Sequence, residues 1–187
     1  MENTVIFNRN NMMDKSIFEQ YFALLQLSFP TSERRDYAGH LGEFSEERFS
    51  SLCYIPDDKL RGFINSWDLG DFVYVEHFAI DPQLRGNGTG TALMNALRTA
   101  TGEKPLVLEV EPPQESEIAA RRVNFYKRLG FEMNGYKYIQ PPLIKGEKPI
   151  PLCIMSAPSA LSQNDFSRII SAMYKYVYKA DEGMFKS

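Results

Sequence analysis

The chain has few cysteines and no long apolar run, and both absences exclude classes of protein. Cys53 and Cys153 are the only cysteines in 187 residues, too few for a disulfide framework and too far apart in sequence for a metal-chelating pair. Each lies in an apolar stretch, so we predict buried free thiols and no metal. A membrane span would need about 18 consecutive apolar residues, and Met1 to Asn11 lacks the basic-then-apolar order of a signal peptide. We therefore expect a cytoplasmic protein with no membrane partner.

The chain also lacks an excess of positive charge. Its formal net charge is −3 at pH 7 and no stripe is dense in lysine and arginine, so nucleic acid is not an expected partner. Hydrophobic residues make up 43% and charged residues 24%, which is typical of a soluble globular protein. The length suits one domain, and we predict a single domain over residues 1–187.

The apolar pattern predicts a mixed α/β fold. A short strand at Thr4–Phe7 is followed by helical spacing that Pro30 stops, and the charged stretch Thr31–Ser51 predicts broken helices around a mobile segment. Three strand-like runs with short turns between them then predict an antiparallel meander. These runs are Leu52–Ile55, Leu60–Trp67 and Phe72–Ile80.

The second half of the chain repeats helix and strand patterns. We predict a helix after Gly90, a buried strand at Pro105–Val110, and a second helix that ends at Gly130. Strand-like runs follow at Phe131–Ile139 and Ile150–Met155. Ser162-x-x-Asp165 is typical of a capping box and predicts an amphipathic helix after it.

A glycine-rich loop joins the third strand of the meander to the next helix. Arg85-Gly-Asn-Gly-Thr-Gly90 stands at that junction, where free backbone N–H groups and the positive end of a helix dipole suit a pyrophosphate. The glycines fail the Rossmann pattern, because Thr91 stands where glycine is needed, and no Gly-Lys-Ser/Thr follows as in a P-loop. A ligand-free helix cap is the competing interpretation of the loop alone.

Two segments in order resemble the GNAT superfamily of N-acetyltransferases. Arg85–Gly90 resembles its motif A, Gln/Arg-x-x-Gly-x-Gly/Ala, and Asn124–Phe131, about 40 residues downstream, resembles its motif B. The resemblance covers Leu52 to about Ile139. It implies one GNAT-like domain with a central, mostly antiparallel twisted sheet of about seven strands, flanked by helices and with a splayed strand pair at the acetyl-CoA site.

The resemblance also implies a cosubstrate site. The backbone of Phe78, Ala79 and Ile80 would bind the pantetheine arm, and Asn124 would contact it. The pyrophosphate of acetyl-CoA would lie on the loop, which comprises Arg85, Gly86, Asn87, Gly88, Thr89 and Gly90. Tyr126 matches the tyrosine that stands near the CoA sulfur, where a phenol could protonate the departing thiolate, and the Phe78 N–H would polarise the thioester carbonyl. A core tyrosine is the competing interpretation of Tyr126.

Glu76 is the candidate general base. It lies within an apolar strand, where desolvation is expected to raise its pKa toward neutrality, and alternation places it on the same face as Tyr74 and opposite His77. A carboxylate paired with a lysine or arginine is the competing interpretation of Glu76. We interpret His77 as a hydrogen-bonded core histidine.

The predicted function is transfer of an acetyl group from acetyl-CoA to a primary amine of a small molecule or peptide, by direct attack in a ternary complex. The acceptor side is implied at Phe29–Phe49 and Tyr136–Pro149, whose charged residues do not identify one amine. A catalytically idle acetyl-CoA-binding module that acts through a partner is the alternative, and binding of longer acyl-CoA is a third possibility. The sequence is compatible with a homodimer.

Overall fold

The computed structural model describes residues 1–144 and 146–180. Its contacts divide the chain into two compact units, residues 1–68 with 75–103 and residues 69–74 with the chain from 104 onward. Across the described residues there are five α-helices and eight strands, so the predicted mixed α/β class is confirmed, with one strand more than expected. The single domain over 1–187 stays a prediction. No helix in these ranges is both long and apolar enough to cross a membrane.

The first unit combines an antiparallel meander with three helices. Strands β1, β2, β3 and β4 are neighbours in that order, and Leu52 of β2 lies opposite Ile64 of β3. Helix α3 packs against β2 and β3. The elements are β1 (Thr4–Phe7), α1 (Lys15–Ser28), α2 (Tyr37–Glu43), β2 (Phe49–Tyr54), β3 (Gly62–Asp68), β4 (Val73–Ile80, of which Val75–Ile80 belongs here) and α3 (Thr89–Thr101).

Side-chain caps fix where α1 and α2 begin. Asp14 accepts a hydrogen bond from the N–H of Ile17, and Asp36 accepts one from the N–H of Gly39 at 2.7 Å, which satisfies amide groups that a helix start leaves unpaired. The stretch predicted as broken helices contains a 3₁₀ turn at Thr31–Glu33 and then α2. Aromatic side chains fill the core, with Tyr21, Phe44, Phe49, Phe63 and Trp67 each at most 2% exposed.

The second unit is built around its longest strand, β8. Strand β8 pairs antiparallel with β5, β6 and β7, and Val73 at the start of β4 donates its N–H to Pro105 O at 2.9 Å. The elements are β5 (Leu106–Val110), α4 (Glu117–Arg128), β6 (Glu132–Met133), β7 (Tyr138–Gln140), β8 (Ile150–Ala157) and α5 (Gln163–Met173), which continues into a π-helical turn at Tyr174–Tyr178.

Two expectations for this unit need correction and one is confirmed. The run Phe131–Ile139 does not form one strand, because β6 pairs with residues 155–156 of β8 whereas β7 pairs with residues 150–152, and the chain between them leaves the ladder. Cys153 is half-buried rather than buried, although Cys53 is buried and both thiols are free. The N-cap half of the predicted capping box is confirmed, since Ser162 Oγ accepts from the Asp165 N–H at 3.1 Å, and the Asp165 carboxylate accepts from the Ser162 hydroxyl at 2.7 Å.

Candidate active site

The glycine loop of the first unit leaves the start of α3 open. Gly88 is the N-cap of the helix, with φ of 80° and no side-chain hydrogen bond to the first turn. Gly86 has φ of 83°, and a Cβ at either glycine would meet nothing within 4 Å. Since the loop is exposed and the first N–H groups of a helix lack partners within it, α3 presents backbone donors and its positive dipole end to solvent. An anion fits this arrangement.

The rest of the loop is tied back to β4. Arg85 Nε donates to Ile80 O at 3.1 Å, and Asp81, which caps a 3₁₀ turn at Pro82–Leu84, accepts from Arg61 Nη1 at 2.6 Å. These contacts hold Arg85 beside the end of β4 while its side chain stays exposed. The predicted pantetheine residues Phe78, Ala79 and Ile80 therefore lead directly into the predicted pyrophosphate loop, all within the first unit.

Glu76 is enclosed by polar contacts from both sides. Arg35 Nη1 donates to its Oε1 at 2.5 Å, and the indole N–H of Trp67 donates to its Oε2 at 2.7 Å. The side chain of Glu76 is only 1% exposed, whereas that of Arg35 is 14% exposed. Both carboxylate oxygens are thus held by donors, and the guanidinium is the more exposed member of the pair.

The pKa of Glu76 shifts in the opposite direction to the one expected from the sequence. Burial alone would raise it, but Arg35 and the Trp67 hydrogen bond favour the charged form, and the pKa falls to about 2. The expectation was wrong because hydrophobic neighbours in sequence do not reveal a cation that arrives from a distant loop. Glu76 is therefore ionised at neutral pH, in line with the competing interpretation of a paired carboxylate.

A second carboxyl group, Glu43, shares the same arginine and was missed by sequence reasoning. Its Oε1 contacts Arg35 Nη1, and its Oε2 lies 2.6 Å from His40 Nδ1. Burial first, and then the negative charge of Glu76, raise the pKa of Glu43 well above its usual value. One arginine cannot neutralise two buried carboxylates, so Glu43 is the carboxyl group that is easier to protonate.

The two histidines of the chain lie in the same region and are neutral. His40 Nε2 accepts from the Arg35 N–H at 3.0 Å, and burial lowers its pKa to about 3. His77 Nε2 donates to Glu33 O at 2.9 Å, and burial also lowers its pKa. The interpretation of His77 as a hydrogen-bonded core residue is confirmed. Alternation places its side chain opposite that of Glu76, yet His77 Nδ1 lies only 3.9 Å from Glu76 Oε2.

The remaining predicted residues, Asn124 and Tyr126, belong to α4 of the second unit. Asn124 is exposed, so its side chain is accessible to a ligand. Tyr126 is 7% exposed and its ring packs edge-on against Phe131 at 5.6 Å. Burial raises the pKa of Tyr126 to about 12, so the phenol keeps its proton at neutral pH.

The second unit holds its own carboxylate cluster, at Glu109 on β5. The hydroxyl of Tyr178 donates at 2.8 Å to Oε1, and the hydroxyl of Tyr74 and the amide of Gln140 each donate at 2.9 Å to Oε2. Tyr138 donates to Oε1 as well. Tyr74, expected to accompany Glu76, thus contacts Glu109 instead. Within 1–144 and 146–180, no group of three or more His, Cys, Asp or Glu could hold a metal.

The structure therefore combines an open helix start after a β-strand with a mixed α/β fold, and comparison with known proteins specifies the family. The sequence model of the acetyltransferase (GNAT) domain matches residues 49–133. A structure assigned to the GNAT acetyltransferases, from Bacteroides thetaiotaomicron, is 33% identical, with 95% of this chain and 99% of that chain covered and a TM-score of 0.82. The chain therefore belongs to the GNAT acetyltransferase family.

More distant structures share the fold alone. An aminoglycoside 6′-N-acetyltransferase solved with coenzyme A is 18% identical, with 82% of this chain and 94% of that chain covered and a TM-score of 0.61. The Escherichia coli ribosomal-protein-S18-alanine N-acetyltransferase is 20% identical, with 87% and 97% covered and a TM-score of 0.58. No match was found among proteins of curated function.

Proposed function

We propose that this protein transfers an acetyl group from acetyl-CoA to a primary amine of a small molecule or peptide, by direct attack in a ternary complex. The observation that carries the proposal is the open start of α3, where Gly88 provides no side-chain cap. Family membership supports acetyl transfer, and the acceptor is a proposal. The aminoglycoside and S18-alanine acetyltransferases with this fold have amine acceptors of unlike size, which is why we test a broad panel.

The residues present fit coenzyme A at the loop. Gly86 and Gly88 have positive φ angles, and a side chain at either glycine would fill the space that an anion needs. We assign the pyrophosphate to Arg85–Gly90 and the pantetheine arm to Phe78–Ile80 with Asn124. The thioester supplies an activated acetyl group, and the protein's task is to align the amine with it.

The catalytic roles follow from charge states. Tyr126, with a pKa of about 12, is protonated at neutral pH and is our candidate to protonate the leaving thiolate. The N–H of Phe78 is our candidate to stabilise the oxyanion. Glu76 has a pKa of about 2, so its carboxylate is a weak base. We therefore assign Glu76 to ordering the acceptor side, and the proton that the amine loses would leave to solvent.

The loop assignment is tested by Gly88→Glu, with Gly102→Glu as its matched control. Both glycines have positive φ and open space around them, and they stand at opposite ends of α3. Gly102 has ψ of −139°, in a region that few residues other than glycine adopt, whereas Gly88 has ψ of −6°. The control therefore carries at least as much backbone strain, and only Gly88→Glu places a carboxylate against the pyrophosphate. We expect loss of the CoA-induced thermal shift in Gly88→Glu alone. Equal CoA binding by both variants would exclude this loop.

Turnover is tested by release of free thiol from acetyl-CoA with a panel of polyamines, amino acids, aminoglycosides and peptides. Acetylation of one amine, seen also as a mass increase of the acceptor, would support the transferase. The alternative is an idle acetyl-CoA-binding module, and the ion pair that occupies Glu76 favours it. CoA binding with no acetylated product across the panel would support that alternative.

A further inference from the structure

The α1–α2 segment is attached to β4 through buried charges. Glu33 O accepts from His77, and Arg35 Nη1 contacts both Glu76 and Glu43. The side chains of Glu76 and Glu43 are 1% and 4% exposed. Buried ion pairs contribute little net stability compared with apolar packing, so this arrangement is better explained by a need for fixed geometry than by a need for stability.

Arg35 has little freedom to leave this position. Its backbone N–H donates to His40 Nε2, so both its main chain and its guanidinium are tied to α2 or β4. Gly39 provides the space that Arg35 occupies, since a Cβ at Gly39 would lie 2.9 Å from Arg35 Cβ. The arginine is therefore held from three directions, by His40, by the two carboxyl groups and by the close approach of α2.

The two carboxyl groups share one guanidinium. Glu43 is affected by Glu76 through its charge and through a hydrogen bond between the two groups. The other titratable groups that act on the pair come from the surrounding elements: Tyr21 of α1, Arg35 before α2, His40 of α2, Glu46 after α2 and His77 of β4. Among these residues, Glu43, Glu76, Arg35 and the two histidines have no net charge together when Glu43 is protonated, Glu76 and Arg35 are ionised and the histidines are neutral.

We propose that Arg35 and Glu43 are positioning residues, which hold Glu76 and the β4 backbone in register with the α1–α2 segment on the acceptor side of the site. Phe78, whose N–H is our candidate oxyanion donor, follows Glu76 by two residues on the same strand. A displacement of about 1 Å at such a strand is enough to cost about 100-fold in rate. This inference rests on the proposed acetyl transfer for its kinetic part only.

Trp67 is a built-in reporter of the position of Glu76. It is the only tryptophan of the chain, and its indole N–H donates directly to Glu76 Oε2. The indole ¹H–¹⁵N resonance of uniformly labelled protein therefore reports on this hydrogen bond without any substrate. We expect Glu43→Ala and Gly39→Ala to move this resonance, and Glu43→Gln, which keeps a neutral hydrogen-bonding group, to restore it largely. Glu47→Ala, at an exposed glutamate, is the surface control.

The kinetic test uses the same variants with the amine that the panel identifies. We expect Glu43→Ala to lower kcat/KM for the amine by about 10- to 100-fold, with acetyl-CoA binding retained, and Glu43→Gln to recover most of the loss. An unmoved indole resonance in both Glu43→Ala and Gly39→Ala would overturn the positioning role. If the resonance moves but kcat and KM per folded enzyme stay unchanged, the positioning role of Arg35 and Glu43 has no importance for acetyl transfer.

Failure of the proposed function gives a different pattern. If the native protein acetylates no amine, the transfer proposal fails, and the indole resonance alone decides whether Arg35 and Glu43 hold Glu76. If Glu43→Ala does not fold, Gly39→Ala still carries the test, because its Cβ displaces Arg35 while no charged group of the cluster is removed.

Discussion

Glu76 in the first unit and Glu109 in the second are both strand carboxylates, but their charges are compensated in different ways. Glu76 is matched by a guanidinium and one indole N–H. Glu109 accepts from three tyrosine hydroxyls and an amide, none of them charged. The charge of Glu76 is therefore stabilised mainly by a single cation, whereas the charge of Glu109 is stabilised by four neutral donors.

The two clusters also differ in which group has a shifted pKa. Beside Arg35, the pKa of Glu76 itself falls to about 2. Around Glu109, burial and then the negative carboxylate raise the pKa of Tyr138 well above the usual value for a phenol. A cation makes the anion hard to protonate, whereas neutral donors become hard to ionise beside it. Removal of one partner should therefore be severe in the first cluster and moderate in the second.

The largest effect is expected from Arg35→Met. This change leaves buried Glu76 without a cation, and breaking such a pair costs about 3–5 kcal/mol of unfolding free energy. Urea denaturation at pH 7, followed by Trp67 fluorescence, measures the loss. Arg35→Lys keeps the charge and should lose less. A cost for Arg35→Met no larger than that of Arg35→Lys would show that the charge of Arg35 is not what matters.

The same variant has a predictable pH dependence. Because the pKa of Glu76 is depressed from 4.5 to about 2, its pairing stabilises the native state above the higher value and is lost as pH falls toward the lower one. The wild-type protein therefore loses this contribution in acid, and Arg35→Met lacks it at all pH values. We expect the stability gap between the two proteins to narrow between about pH 4.5 and pH 2. A gap that is constant over that range would contradict the assignment.

A smaller effect is expected from Tyr138→Phe in the second cluster. The hydroxyl of Tyr138 donates to Glu109 and the residue is 5% exposed, but three other donors remain on that carboxylate. A lost hydrogen bond to a charged group then costs about 1.5–3 kcal/mol. Tyr136→Phe is the matched control, since its hydroxyl makes only a 3.4 Å contact with Leu161 O. If urea denaturation shows that both variants lose the same unfolding free energy, the hydrogen bond to Glu109 contributes no more than the contact of Tyr136 with Leu161 O.

The contrast between the clusters also explains what the sequence could predict. The glycine loop, the strand before it, the helix after it and the caps at Ser162 depend on residues close together in sequence, and they were predicted. The pairing of Glu76 depends on Arg35, 41 residues away, and on a loop whose charge run is equally typical of a solvated surface. Periodicity gives the face of a strand but not the distant side chain that packs there, so Arg35 and Glu43 were missed.

The smallest effect is expected from Glu43→Gln at pH 7, where it sharpens the comparison by testing whether the two carboxyl groups beside Arg35 hold a proton. The raised pKa of Glu43 means that the native state binds its proton more tightly than the unfolded chain does, so wild-type stability declines as pH rises from about 4.5 through that raised pKa. The amide that replaces the carboxyl group in Glu43→Gln does not titrate, so the variant lacks this decline in stability. We expect the stability of the variant relative to wild type, measured by urea denaturation from pH 5 to pH 9, to improve with rising pH. A relative stability that stays constant from pH 5 to pH 9 would show that neither carboxyl group holds a proton beside Arg35.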